Sequence, residues 1–321
     1  MTASLKKRVC TGVLLAAVSA LSMADEGGVS FWLPGQMGSF AAVPGDPGWS
    51  LGAVYYHSSS SAGAERAFTR GGRITAGLDV AADLVFLAPS YVFSEPLLGA
   101  QAAVSMTGAF GKVKVDVGAT LTGPGGSTLS GSQSDSLTSV GDLYPQFSLK
   151  WNRGVHNYMA YTMLGVPVGS YEVGRLANLG TNHWSADVGG GYTYLNEKTG
   201  REFSAVLGFT YNFENSDTQY KNGINGHLDW AASQFLSEQT HVGLVGYFYQ
   251  QLSGDSGAGA TLGDFKSRVY AVGPQVGYFF PVGGQKWYLN FKGYYEFEAQ
   301  NRPEGWNAWV TLALPLGAKK K

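Results

Sequence analysis

Between residues 203 and 214 the chain alternates with a period of two. The odd positions read Phe203, Ala205, Leu207, Phe209, Tyr211 and Phe213, and the even ones Ser204, Val206, Gly208, Thr210, Asn212 and Glu214. Successive strand residues point to opposite faces of a sheet, so this pattern describes a strand whose two faces meet different surroundings. From Trp287 the pattern returns: Trp287, Leu289, Phe291, Gly293, Tyr295 and Phe297 oppose Tyr288, Asn290, Lys292, Tyr294, Glu296 and Glu298. In the 270s, Val272, Val276, Tyr278 and Phe280 oppose Ala271, Gly273, Gln275 and Gly277. A soluble sandwich alternates too, but its polar face is richer in Lys, Glu and Thr. Here aromatics stand near both ends of the apolar stripes, as the girdles of a membrane barrel do.

Composition agrees with that setting. Only 14% of the 321 residues are charged, 13% are aromatic and 46 are Gly, and the net charge is −1. No basic footprint for nucleic acid exists. Beyond the first 25 residues no apolar run is long enough to be a membrane helix.

Strands are predicted near 49–58, 72–93, 99–118, 138–152, 156–168, 182–195, 201–214, 224–236, 240–252, 265–281, 286–298 and 305–316. That is about twelve, an even number, as a single-chain bacterial barrel requires. The connections at 94–98, 153–155, 196–200, 237–239 and 282–285 are short. Those at 59–71, 119–137, 169–181, 215–223 and 253–264 are long, and 299–304 is a shorter exception. Short turns alternating with long loops predict an antiparallel up-and-down transmembrane β-barrel with its long loops outside. The second strand is too long to be regular throughout, Asp79 and Asp83 are expected to interrupt its apolar run, and a β-bulge is expected near Gly111 in the third.

The barrel is assigned to 48–317, followed by a basic tail at 318–321. Ahead of it, Lys6, Lys7 and Arg8 precede an apolar stretch from Val9 to Leu21, and Ser22-Met23-Ala24 supplies small residues for cleavage. Residues 1–24 are therefore predicted to be a signal peptide. Cys10, the sole cysteine, falls inside it. Residues 25–47 are punctuated by Pro and Gly yet carry Phe31, Trp32, Leu33 and Phe40. They are either a periplasmic tail or a plug tucked into the lumen.

Catalytic chemistry is not evident. His57, His156, His183, His227 and His241 are scattered without metal-ligand spacing, so neither metal nor cofactor is expected. Gly254-Asp255-Ser256-Gly257 resembles a protease nucleophile loop but lies in a Gly-rich connection. His227 and Asp229 share a strand face and are read as two polar lumen groups. If apolar stripes face lipid, the inward positions include Asp142, Tyr144, Gln146, Lys150, His227, Asp229, His241, Tyr247, Tyr249, Gln251, Lys292, Tyr294, Glu296 and Glu298. Few charges and many tyrosines suit weak binding of an aromatic or amphipathic solute.

Gly141-Asp142-Leu143-Tyr144-Pro145-Gln146, Tyr249-Gln250-Gln251-Leu252-Ser253-Gly254-Asp255-Ser256-Gly257 and Leu262-Gly263-Asp264-Phe265-Lys266-Ser267-Arg268 resemble segments of the MetA-pathway of phenol degradation family. So do Val272-Gly273-Pro274-Gln275-Val276-Gly277-Tyr278 and Asn301-Arg302-Pro303-Glu304-Gly305. The similarity runs from about Gly27 to Leu316. It implies an outer-membrane transporter for aromatic or other hydrophobic compounds, with no catalytic residues to carry over. The expected partners are membrane lipid and lipopolysaccharide, a small hydrophobic or aromatic solute, and the barrel assembly machinery. The last strand lacks the terminal aromatic that usually serves assembly. A general diffusion porin, an outer-rim hydrolase and an adhesive barrel with a closed lumen are the competing readings.

Overall fold

The structure is a computed structural model that describes residues 30–62, 68–70, 73–75, 77–122, 128–261 and 264–316. The predicted signal peptide and basic tail lie outside the described residues. In chain order the strands are β1 (Gly48–Ala62), β2 (Phe68–Arg70), β3 (Arg73–Thr75), β4 (Leu78–Leu97), β5 (Ala100–Thr122), β6 (Thr128–Arg153) and β7 (His156–Gly165). They continue as β8 (Ser185–Asn196), β9 (Arg201–Asn212), β10 (Asn225–Phe235), β11 (Thr240–Gln251), β12 (Arg268–Val282), β13 (Gln285–Gln300) and β14 (Glu304–Pro315). Among the described residues, twelve of these close into one antiparallel barrel, while β2 and β3 pair with each other in a hairpin between β1 and β4. Closure is made by β1 against β14, from Ser50 opposite Pro315 to Ser61 opposite Glu304. A closed barrel leaves no unpaired strand edge, which lipid would penalise severely.

The alternation sorts side chains as expected. Phe203, Leu207, Phe209, Tyr211 and Phe213 are exposed on the outer wall, while Glu202, Ser204, Val206, Thr210 and Asn212 are buried inside. Outward aromatics gather at both ends of the wall. Trp49, Tyr91 and Phe93 cluster at the short-turn end. Phe248, Tyr270 and Phe297 cluster at the long-loop end.

Three local expectations differ from the structure. The connection expected over 119–137 is mostly sheet: β5 runs to Thr122, β6 starts at Thr128, and Gly118, Asp116 and Lys114 face Ser132, Ser134 and Ser136. A strand rising above the bilayer needs no lipid-facing stripe, so its apolar signal vanishes while its hydrogen bonds continue. Asp79 and Asp83 do not break the apolar run that β4 buries. They point outward, while Leu78, Val80, Ala82, Leu84 and Phe86 form a buried inner face. At this end the polarity of the wall is inverted, and Asp83 accepts bonds from Tyr55 and His57 on the outer surface at 2.6 and 2.8 Å. The bulge lies one strand over: Gly108 faces Leu143 and Phe110 faces Val140, so Ala109 opposes both Gly141 and Asp142 of β6.

Candidate functional site: the barrel interior and the segment threaded through it

Residues 30–45 run inside the barrel. At the long-loop end, the Ser30 hydroxyl lies 3.2 Å from that of Tyr249. At the short-turn end, Phe40 sits among Phe235, His241, Phe279 and Tyr288, with ring centroids 5.3–6.0 Å away. The segment therefore spans most of the lumen before it enters β1. Two tight turns compact it, closed by Gln36 N–H to Leu33 O at 3.1 Å and Val43 N–H to Phe40 O at 2.9 Å. Phe31, Trp32, Leu33 and Phe40 are each under 5% exposed. Their burial is worth roughly 1.5–3 kcal/mol per side chain.

Polar groups of the wall hold the backbone. Gly35 N–H and Met37 N–H donate to the two carboxylate oxygens of Asp229, each at 3.0 Å. Lys292 Nζ donates to the carbonyls of Gly35, Gln36 and Met37 at 2.6, 3.4 and 3.3 Å. Tyr294 adds its hydroxyl to Gly35 O at 3.2 Å. Glu202 accepts from the Ser39 hydroxyl at 2.8 Å and from Phe40 N–H at 3.1 Å. Nearer the short turns, Ala42 N–H donates to Thr193 and Lys150 donates to Val43 O. Each of these buried charges is thus matched by backbone dipoles, without which its burial would be costly.

Aromatic rings hold the side chains. Phe31 packs against Tyr144 with centroids 5.7 Å apart. Trp32 lies flat on His227, with centroids 3.5 Å apart and planes 15° apart, and beside Tyr161 at 6.1 Å and 29°. His227 and Asp229 do not engage each other: His227 donates to Asp187 at 2.9 Å, and Asp229 serves the segment.

The long connection between β7 and β8, residues 166–184, folds inward over part of the mouth. Asp142 accepts from Gly169 N–H, Thr181 N–H and the Thr181 hydroxyl at 2.8–2.9 Å. Asp135 accepts two bonds from Arg175 at 3.1 and 3.3 Å, and a third from Ala177 N–H at 3.0 Å. Ala177 and Leu179 join the apolar cluster formed by Phe31, Trp32 and the inner face of β4. Elsewhere at this end a narrow cleft, open to solvent, lies between Leu33 and Pro34 of the segment and Tyr56, Tyr247, Glu296 and Arg302 of the wall and rim.

Asp142, Tyr144, Gln146, Lys150, His227, Asp229, Tyr247, Tyr249, Gln251, Lys292, Tyr294 and Glu296 are all at most 9% exposed. Their tasks divide. Lys150, Asp229, Lys292 and Tyr294 hold the segment. Asp142 holds the inturned loop, and Gln251 ties the connection after β11 through Asp255 and Phe265 O. Tyr247 donates to Glu296 at 2.6 Å within the wall. Glu298 departs from the inward set: within the register shift in β12–β13 it has φ +57° and lies exposed beside Arg268. The Gly254–Gly257 motif is structural, since Asp255 accepts from Tyr220, Gln251 and Gly223 N–H. Sequence reading missed Glu202, Asp187, Thr193 and Tyr161. A carboxylate at an inward position was the available signal for Glu202 and Asp187.

The family model described as "Putative MetA-pathway of phenol degradation" matches residues 64–312. The chain belongs to that family. In fold, this phenol-degradation family barrel is similar to the crystal structure of an outer membrane channel from Pseudomonas putida, with a TM-score of 0.66 and 16% identity over 84% of this chain and 96% of the other. Weaker likenesses join it to the β domain of the Bordetella autotransporter BrkA, with a TM-score of 0.47 and 8% identity over 84% of this chain and 100% of the other. A Pseudomonas aeruginosa FadL homologue gives a TM-score of 0.44 and 10% identity over 96% of this chain and 98% of the other. No curated protein matches by sequence. The family barrel is thus an antiparallel barrel of the bacterial outer membrane.

Proposed function

We propose that the barrel is a passive channel for small hydrophobic and aromatic compounds, held closed at rest by residues 30–47. The observation that carries this reading is the double grip on the segment. Its backbone is held by polar wall groups and its rings by aromatic ones. A structural strut would need only one of these. A removable plug gains from contacts that a solute can replace one at a time. Family membership supports the solute class, and the similar Pseudomonas putida protein is itself described as an outer membrane channel.

In this reading the chain is not an enzyme, and its cargo crosses unchanged. Residues 1–24 direct export and are removed, so the mature protein begins at Asp25. Lipid and lipopolysaccharide contact the outer wall, and the barrel assembly machinery inserts it. Deleting 27–45 while retaining the leader and its cleavage site tests the plug in planar bilayers. The expected result is a folded barrel of markedly higher conductance. A deletion variant that conducts no better than the parent would reduce the segment to a leader for β1.

A further inference from the structure

Tyr161, Gly189, Gly208 and His227 are register partners in one row across β7, β8, β9 and β10. The two glycines lie between the two rings. A Cβ at Gly208 would come within 2.3 Å of the Tyr161 hydroxyl and 2.5 Å of His227 Cε1, and one at Gly189 within 2.6 Å of Tyr161 Cε1. Side chains on a strand ordinarily stand away from the sheet. Here the missing Cβ atoms let both rings lie down over the wall, producing a flat aromatic floor. The floor is braced from the neighbouring row, where Asp187 accepts from His227 at 2.9 Å and from its register partner Thr210 at 2.6 Å. None of these bracing groups belongs to the threaded segment.

Trp32 lies on that floor, nearly parallel to His227. Blocking a lumen requires bulk in any orientation, so a coplanar stack on a braced surface is more specific than obstruction demands. The backbone grips at Gly35, Met37, Phe40 and Ala42, and the Ser39 hydroxyl on Glu202, fall three or more residues farther along the chain. Gly35, at φ +86°, is the first of these grips after Trp32. The indole can therefore lift away while the stretch from Met37 onward stays seated.

We infer that the Tyr161–Gly189–Gly208–His227 row is the aromatic binding station of the channel, and that Trp32 occupies it as a built-in surrogate for the solute. The ligand class is a planar, uncharged compound of one ring or two fused rings. This rests on the channel reading and deepens it. Solute and Trp32 compete for one surface, so binding selects the state in which the plug's outer part has lifted.

The probe is indole, measured by equilibrium dialysis against the full-length folded barrel in detergent, with cyclohexanol as a non-planar control. Competition by a tethered ring weakens the apparent affinity in proportion to the fraction of time the floor is free. With the floor free about a tenth of the time, Trp32→Ala binds indole about tenfold more tightly than the parent. Trp32→Leu, which keeps bulk in the lumen, gives a smaller gain of the same sign and serves if the alanine variant does not fold. Adding His227→Leu or Gly208→Ala to either variant removes the gain. Equal indole binding by parent and both Trp32 variants overturns the station, as does an equal gain for cyclohexanol or a gain that survives loss of His227. Conductance separates the two readings. If the 27–45 deletion opens the barrel while Trp32→Ala gains no indole affinity, the station fails and the channel stands. If indole affinity rises while the deletion conducts like the parent, the ring-binding surface stands and the reading of residues 30–47 as the channel's plug fails.

Discussion

Asp229 and Lys292 hold one three-residue turn of the threaded segment by its opposite polarities. Asp229 takes the N–H groups of Gly35 and Met37, and Lys292 takes the carbonyls of Gly35, Gln36 and Met37. Asp229→Ala leaves two buried N–H groups without these acceptors, at roughly 1–3 kcal/mol each. The expected outcome is a folded barrel with raised resting conductance. Because both residues grip the same turn, adding Lys292→Met should raise conductance little further. Fully additive effects would show that the two act on separate parts of the segment.

Gly35 has two reasons to be glycine. Its φ is +86°, and a Cβ there would meet the Tyr294 and Tyr247 rings at 2.9 and 3.0 Å. Gly35→Ala combines backbone strain of about 1–2 kcal/mol with that collision. It should unseat the segment and raise conductance without changing the heat-modifiable migration of the barrel. Gly283, at φ +56° with nothing within 4 Å of an added Cβ, provides the control. Gly283→Ala carries the strain alone and should conduct like the parent.

Phe209 and Thr210 are adjacent residues on opposite faces of β9. Phe209 is 44% exposed on the lipid side, and Thr210 is fully buried. Phe209→Arg places a cation toward lipid at about 2–4 kcal/mol near mid-bilayer. It should sharply reduce the folded barrel recovered from membranes. Thr210→Val loses a single bond to the Asp187 carboxylate, worth about 1.5–3 kcal/mol, but puts no charge toward lipid. It should insert normally. Similar recovery of the two variants would contradict the assignment of faces.

Ser256 is exposed on the connection between β11 and β12, and Lys198 on the turn between β8 and β9, at the opposite end. In a chain whose sole cysteine is Cys10, single cysteines at these two sites report orientation. Ser256→Cys should react with an impermeant thiol reagent on intact cells. Lys198→Cys should react only after the outer membrane is opened. The reverse pattern would invert the barrel.

The sequence by itself determined the architecture of the wall. Lipid imposes the same local demand on every crossing, so residues such as Phe203, Leu207 and Phe209 announce their face without reference to any partner. The even strand count, the order of short and long connections and the aromatic ends followed from that repeated local signal. Where the demand lapses, the signal lapses with it. The extensions of β5 and β6 read as loop, and the inverted face of β4 read as an interruption, because the outer part of the wall no longer answers to lipid. Only the tertiary structure decided what fills the lumen. Asp229 meets Gly35 across 194 residues of sequence, and Lys292 meets it across 257. The Tyr161–Gly189–Gly208–His227 row exists only because four strands pair in one particular register. No alternation pattern encodes such contacts, because each is set by barrel closure and by register accumulated from strand to strand.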